Sequence, residues 1–247
     1  MTVVALRQVS LAYGATRALV DVDLHVDEGE RVALVGPSGA GKTTLLRLCN
    51  GSAVASAGDV CVLGQRLAGC TARQLRDVRR RTGTIHQQLH LVGPMRVVHN
   101  VNAGRLGSWS LPRALWSLVR PLEVDAARQA LARIGIADKV FERTDRLSGG
   151  EQQRVALARV LVQQPDLILA DEPVSSLDPA RGDEVMDLLT RVVTGRKRTL
   201  VVSLHDFEIA RRCCNRLVGI RAGRILFDLP SAQVTDHMGA ELYRIAP

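Results

Sequence analysis

The sequence predicts an α/β fold, a largely parallel sheet flanked by helices, and three observations carry that expectation. An apolar run, Arg31-Val32-Ala33-Leu34-Val35, leads into Gly36-Pro37-Ser38-Gly39-Ala40-Gly41-Lys42-Thr43-Thr44, and a helix-like run through Leu48 leads out. A further continuous apolar run, Leu167–Ala170, and a second mostly apolar one, Thr199–Leu204, read as strands buried on both faces of a parallel sheet. Strand-like and helix-like segments alternate between these runs, as an α/β core requires.

Residues 36–44 complete the pattern G-x-x-x-x-G-K-[ST]. Each residue type has a physical reason to be there. The glycines let backbone N–H groups converge on a polyphosphate, and the following helix turns its positive end toward it. Lys42 is placed to neutralise terminal phosphates, and the Thr43 hydroxyl to ligate Mg²⁺. A glycine-rich turn with no ligand would not need the strand before it and the helix after it. This stretch is read as a nucleoside triphosphate site.

In chain order, residues 3–9 and 19–26 alternate apolar and polar, as half-buried strands do. Tyr13 lies in the turn between them, either as a strand-end tyrosine or as an aromatic plate for a base. After the phosphate loop, Val60–Leu63 is another short strand and Thr71–Arg81 a basic helix. Thr84–Gln88 is a strand running into a polar loop. Residues 88–165 lack strongly β-forming runs and read as helical, with Ala126, Ala130, Leu131 and Ile134 on one face of a helix over Asp125–Ile136. The amphipathic stretch 104–122, with Trp109 and Trp116, could meet a membrane or a partner helix, but a packed core stripe is the expected reading. Leu147-Ser148-Gly149-Gly150-Glu151 opens a long helix through Gln164. Ser148 and Glu151 fit a capping box, yet two adjacent glycines exceed what capping requires and leave bare N–H groups for an anion. Leu167–Ala170 delivers Asp171 and Glu172 to the carboxyl edge of the sheet, where such folds place ligands, and Thr199–Leu204 delivers His205 and Asp206 there. Leu217–Ile220 and Gly223–Phe227 form a closing hairpin.

Net charge is +8 and comes almost wholly from arginine, since lysine occurs only at 42, 139 and 197. That balance points to an anionic partner. Aromatic residues total 3%, too few for single-strand stacking platforms, so no nucleic-acid partner is expected. The five cysteines, at 49, 61, 70, 213 and 214, show no C-x-x-C pair and are expected as reduced thiols. No apolar run approaches the roughly 18 residues of a membrane span, and no signal-peptide pattern opens the chain, so a cytoplasmic protein is expected.

Taken together, these motifs resemble the ATP-binding subunit of ABC transporters over nearly the whole chain. The resemblance implies a P-loop NTPase (RecA-like) core, residues 1–87 and 166–247, carrying an N-terminal antiparallel β subdomain, with an α-helical subdomain inserted over 88–165. It implies ATP and Mg²⁺ as cofactors. By resemblance Tyr13 stacks on adenine, residues 36–44 are the Walker A loop, and Gln87 senses Mg²⁺ and the attacking water. Ser148, Gly149, Gly150 and Glu151 resemble the signature loop, which binds the γ-phosphate held by a second subunit. Asp171 resembles the Walker B carboxylate on Mg²⁺, Glu172 the general base, Ser175-Ser176-Leu177-Asp178 the D-loop, and His205 the switch histidine. The implied catalytic set is Glu172, His205, Gln87 and Lys42, and the implied metal set Thr43, Gln87 and Asp171. A homodimer is implied, docked through residues 88–122 on integral-membrane permease subunits at the cytoplasmic face of the cell membrane. An extracytoplasmic solute-binding protein is implied indirectly.

Within that family the chain is most similar to ATPases of phosphonate importers, on Arg81-Thr82-Gly83, Gln87-Gln88, Asn100-Val101, Gly104–Gly107, the two tryptophans and Ile168–Pro173. His86 stands where an aromatic is usual, Glu151 where glutamine is more frequent, and Leu229 where glycine is common. The alternatives are another ABC transport ATPase, of amino-acid importer or lipoprotein-release and exporter type, or a soluble ABC-type ATPase. Long coiled-coil or zinc inserts and a second cassette, which soluble relatives carry, are absent from the sequence. A P-loop kinase or GTPase would lack the 147–151 loop and the Asp171-Glu172 pair.

Overall fold

The computed structural model describes residues 1–175, 179–194 and 198–244. Residues 176–178, most of the stretch resembling a D-loop, lie outside the described residues.

Strands β1 (Thr2–Tyr13) and β2 (Thr16–Asp27) form a long antiparallel hairpin, which β4 (Ala57–Val62) and the short β5 (Gln65–Arg66) extend to the order β2-β1-β4-β5. A second sheet takes β3 (Arg31–Val35), β6 (Thr82–Ile85), β7 (Leu167–Asp171), β8 (Thr199–Leu204), β9 (Arg216–Arg221) and β10 (Arg224–Pro230) in the order β10-β9-β3-β8-β7-β6. All its pairings are parallel except the β9–β10 hairpin.

The alternation of side chains along these strands divides the interior into two cores. Val32, Leu34, Leu167, Leu169 and Val201 point toward the antiparallel sheet, with helix α1 (Lys42–Cys49) sandwiched between through Leu45 and Leu48. Ala33, Val35, Ile168, Ala170, Leu200 and Val202 point to the opposite face, onto the helices. A strand with both faces covered tends to be apolar on both, which is why 167–170 is apolar throughout and 199–204 is apolar except for the buried hydroxyls of Thr199 and Ser203.

Helix α2 (Ala72–Arg81) follows β5, with Thr71 and Gln74 closing its capping box. Between β6 and β7 the chain is helical: α3 (Val97–Asn102), α4 (Leu111–Val119), α5 (Val124–Ala132) and α6 (Gly149–Gln163). The carboxyl-terminal part adds α7 (Pro179–Thr194), α8 (Phe207–Cys213) and α9 (Asp236–Tyr243). An antiparallel β layer, a P-loop core and a helical subdomain are thus all present. Each cysteine is a free thiol. Among the described residues no helix is long and apolar enough to cross a membrane.

Two expectations need correction. The helix expected over 125–136 ends at Ala132, and its inward stripe is Ala127, Ala130, Leu131 and Ile134 rather than one beginning at Ala126. Positions 127, 130, 131 and 134 satisfy the i, i+3, i+4, i+7 spacing that one helical face demands, and 126 does not. The stretch 104–122 is not a core stripe: Leu106, Leu111, Leu115, Trp116, Leu118 and Val119 are exposed.

Candidate functional site

β3 ends in the loop because Gly36 takes φ +151° directly against β9; a Cβ there would lie 2.0 Å from the Ile220 carbonyl oxygen. Gly41, at φ +109°, is equally constrained, since a Cβ would lie 2.6 Å from the Ala18 oxygen of β2. The antiparallel sheet therefore bears directly on the loop. The Ala40 N–H donates to the Pro37 carbonyl at 3.2 Å, while Ser38 and Gly39 are exposed at the loop's tip. Tyr13, at the β1–β2 turn, is half exposed.

Lys42 opens α1 and is only 5% exposed; its ammonium donates to the Gly36 carbonyl at 2.6 Å and the Pro37 carbonyl at 3.1 Å. Burial lowers its pKa, against the pull of Glu172 and Asp171. Thr43 Oγ1 donates to Asp171 Oδ1 at 3.0 Å, joining α1 to the end of β7. Thr44 continues α1, half buried.

Ser203, fully buried on β8, donates to the same Asp171 Oδ1 at 2.8 Å and accepts the Glu172 N–H at 2.9 Å. One hydroxyl thus fixes the Asp171 carboxylate and the backbone of the next residue. That backbone is strained: Glu172 has φ +45°, a conformation non-glycine residues seldom take. Gln87, just beyond β6, donates from Nε2 to Glu172 Oε2 at 3.3 Å and to Ser175 Oγ at 3.4 Å. His205 is exposed at the end of β8; its carbonyl accepts the Tyr243 hydroxyl at 2.9 Å. Burial raises the Tyr243 pKa, and its bond holds α9 against the end of β8.

The structure thus brings Lys42, Thr43, Asp171, Glu172 and Gln87 together at one sheet edge, with His205 at the end of the neighbouring β8, its carbonyl held by Tyr243. It does not bring the 148–151 loop there. Ser148 Oγ accepts the Glu151 N–H at 3.3 Å, and Glu151 Oε2 accepts the Ser148 N–H at 2.9 Å, completing the capping box. Those bonds from Ser148 hold the Glu151 carboxyl below its ordinary range. Among the described residues no hydrogen bond joins Ser148, Gly149, Gly150 or Glu151 to residues 36–44, and a Cβ on either glycine would meet nothing within 4 Å. The loop is a bare helix start facing open space.

Sequence reasoning missed Ser203 and Tyr243. Ser203 had a signal, a hydroxyl near the end of a mostly apolar buried run. Tyr243 had none, because its role depends on where α9 folds back.

A glycine-rich loop at a helix start, a buried lysine, a hydroxyl–carboxylate pair and an acid beside them mark a nucleoside triphosphate-binding domain. The ABC transporter family model matches residues 19–175, and the chain belongs to that family. It is 53% identical over 238 residues to the phosphonates import ATP-binding protein PhnC of Anaeromyxobacter dehalogenans, covering 96% of this chain and 47% of that protein. It is 48% identical over 226 residues to PhnC of Pseudomonas fluorescens, covering 92% of this chain and 85% of that one. The chain therefore spans about half the length of the first relative and most of the second. A solved dimeric ATP-binding cassette in a post-hydrolysis state, bound to ADP and Pi, superposes with TM-score 0.77 at 28% identity, over 92% of this chain and 98% of that one.

Proposed function

We propose that this chain is the ATP-hydrolysing subunit of an importer that brings a phosphonate, or a related phosphorus oxyanion such as phosphite, across the cytoplasmic membrane. The observation that carries the ATPase part is the wired edge Thr43–Asp171–Ser203–Glu172–Gln87 beside the phosphate loop. The solute rests on the identity to the two PhnC proteins.

The residues fit ATP and Mg²⁺. Lys42 is a buried cation at the loop, and Thr43 and Asp171 offer two hard oxygens already 3.0 Å apart. Two protein oxygens suit a magnesium ion that takes its remaining ligands from phosphate and water. When bound, Mg²⁺ supplies charge neutralisation at the terminal phosphates. Lys42 binds the same phosphates, and Glu172 accepts a proton from the attacking water as general base. Gln87 orients that water through its contact with Glu172, and His205 holds the γ-phosphate side of the geometry. Tyr13 covers the base. The strained Glu172 backbone, locked by Ser203, aims the carboxylate before substrate arrives, so little reorganisation remains for the reaction.

The active unit is a homodimer in which the Ser148–Glu151 loop of each copy closes the phosphate loop of the other. Residues 88–165 act as the helical subdomain, its stretch 88–122 meets permease subunits, and a solute-binding protein delivers to those permeases from outside. The subunit therefore works at the cytoplasmic face of the membrane.

The test is genetic. In a host with no redundant uptake system, deleting this gene should leave growth on inorganic phosphate intact and abolish growth on a phosphonate or phosphite as sole phosphorus source. Normal growth on all of them removes the solute assignment and leaves the ATPase.

A further inference from the structure

Helix α4, Leu111-Pro112-Arg113-Ala114-Leu115-Trp116-Ser117-Leu118-Val119, inverts the usual burial of an amphipathic helix. Leu111 and Val119 are 73% and 78% exposed, and Leu115, Trp116 and Leu118 are each more than half exposed. The buried member is Ser117, whose hydroxyl donates back to the Ala114 carbonyl at 2.6 Å. At 3.6 residues per turn the five exposed apolar side chains sweep an arc of roughly 160°. That is wider than the seam by which a helix seats in a protein groove, where anchors recur at i, i+3, i+4 and i+7.

The charges around the arc have one sign. Between residues 103 and 122 the charged residues are Arg105, Arg113 and Arg120, with no carboxylate. Glu123, the next acid, is shared by Arg105 and Arg113, so one positive charge of that trio stays uncompensated. Arg113 also lies over the Trp109 ring, 5.2 Å from its centroid. The turn Ala103–Ser108 that leads into α4 abuts the arginine-rich α2; a Cβ at Gly107 would lie 3.7 Å from the Arg80 Cβ. Beside that contact is a groove of about 520 Å³ lined by Arg76, Arg79, Arg80, His86, His90 and Arg159, and by no aspartate or glutamate.

We propose that α4 inserts its apolar arc into the headgroup region of an anionic leaflet, so that the ATPase binds lipid directly, without a permease. A broad apolar face suits a fluid interface. Tryptophan is favoured at the boundary between headgroups and acyl chains, and flanking arginines attract anionic lipid. This contact is independent of which solute is transported.

The experiment uses the purified full-length chain and vesicles without any protein. It should float with phosphatidylcholine vesicles containing phosphatidylglycerol, at least roughly tenfold more than with phosphatidylcholine alone, and release in high salt. The two tryptophans, at 109 and 116, should shift their emission to the blue on binding. The double variant Leu115→Glu/Leu118→Glu should lose at least roughly tenfold in vesicle partition while keeping its ATPase rate in solution. Leu115→Ser/Leu118→Ser, a milder change at the same exposed sites, should weaken binding in the same direction. Absence of flotation with either vesicle, or flotation that neither variant alters, overturns the proposal. So does binding seen only when permease is in the vesicle, or a solution self-association that the variants abolish in place of vesicle binding. None of these outcomes bears on the growth phenotype that tests the importer assignment.

Discussion

The phosphate loop and the 148–151 loop are both glycine-rich helix starts, yet the chain treats them oppositely. The first is wired into its surroundings: Gly36 is pressed on β9, Gly41 on β2, Thr43 is bonded to Asp171, and Ser203 fixes Asp171 and Glu172 together. Among the described residues, the second is bonded only within its own neighbourhood, through the Ser148–Glu151 capping box and Gln152 to the Leu147 carbonyl. Gly149 and Gly150 face open space. Both present N–H groups at a positive helix end, but only the first is surrounded by a buried lysine, bonded hydroxyls and two carboxylates. The difference teaches that two helix starts of similar sequence can be built for different surroundings: the wired loop and the bare one do not meet within the chain.

The largest expected effect tests the surroundings of the wired loop. Glu172→Gln should reduce ATP turnover by about 10²–10⁴ while leaving nucleotide affinity unchanged, because a general base acts only in the reaction. Turnover above a tenth of wild type removes Glu172 from that role. Lys42→Ala should instead weaken ATP binding itself, as titration would show; unchanged affinity contradicts the loop assignment.

Next comes the wiring. Ser203→Ala leaves the Glu172 N–H without its acceptor in a buried place, a loss of roughly 1–3 kcal/mol. Denaturant unfolding should show that loss, and turnover should fall with it. An unchanged midpoint and rate would mean that Ser203 positions nothing.

The smallest effect lies beside Gln87, at His86. Burial, reinforced by His90 and Arg159 and opposed by Asp171, holds His86 below its ordinary 6.5. The unfolded chain therefore takes up this proton more readily than the folded one. Its contribution to stability is full above pH 6.5 and is lost as pH falls below that toward the folded value. His86→Gln should flatten that part of the stability profile, and an unaltered slope would contradict the assignment.

Much of this was legible in the residues. The phosphate loop, the buried strands and the acid pair at the end of β7 are local in sequence, so periodicity and spacing reveal them. Ser203 and Tyr243 act through contacts 31 or more positions away; Ser203 leaves only a hydroxyl in a mostly apolar run as its trace, and Tyr243 no local pattern at all. The α4 stripe was misread for a related reason. Periodicity shows that a helix has an apolar face but not what lies opposite it, and here its neighbours bury Ser117 instead. Ser148 shows the converse: its capping box was readable, while the isolation of its loop required the fold.

The claim that two copies complete one site is tested most directly by light scattering. Glu172→Gln with ATP and Mg²⁺ should move from monomer to dimer, and adding Ser148→Arg, which fills the open space beyond the loop, should hold it monomeric under the same conditions. A dimer indifferent to both ATP and the Ser148 substitution would contradict the account.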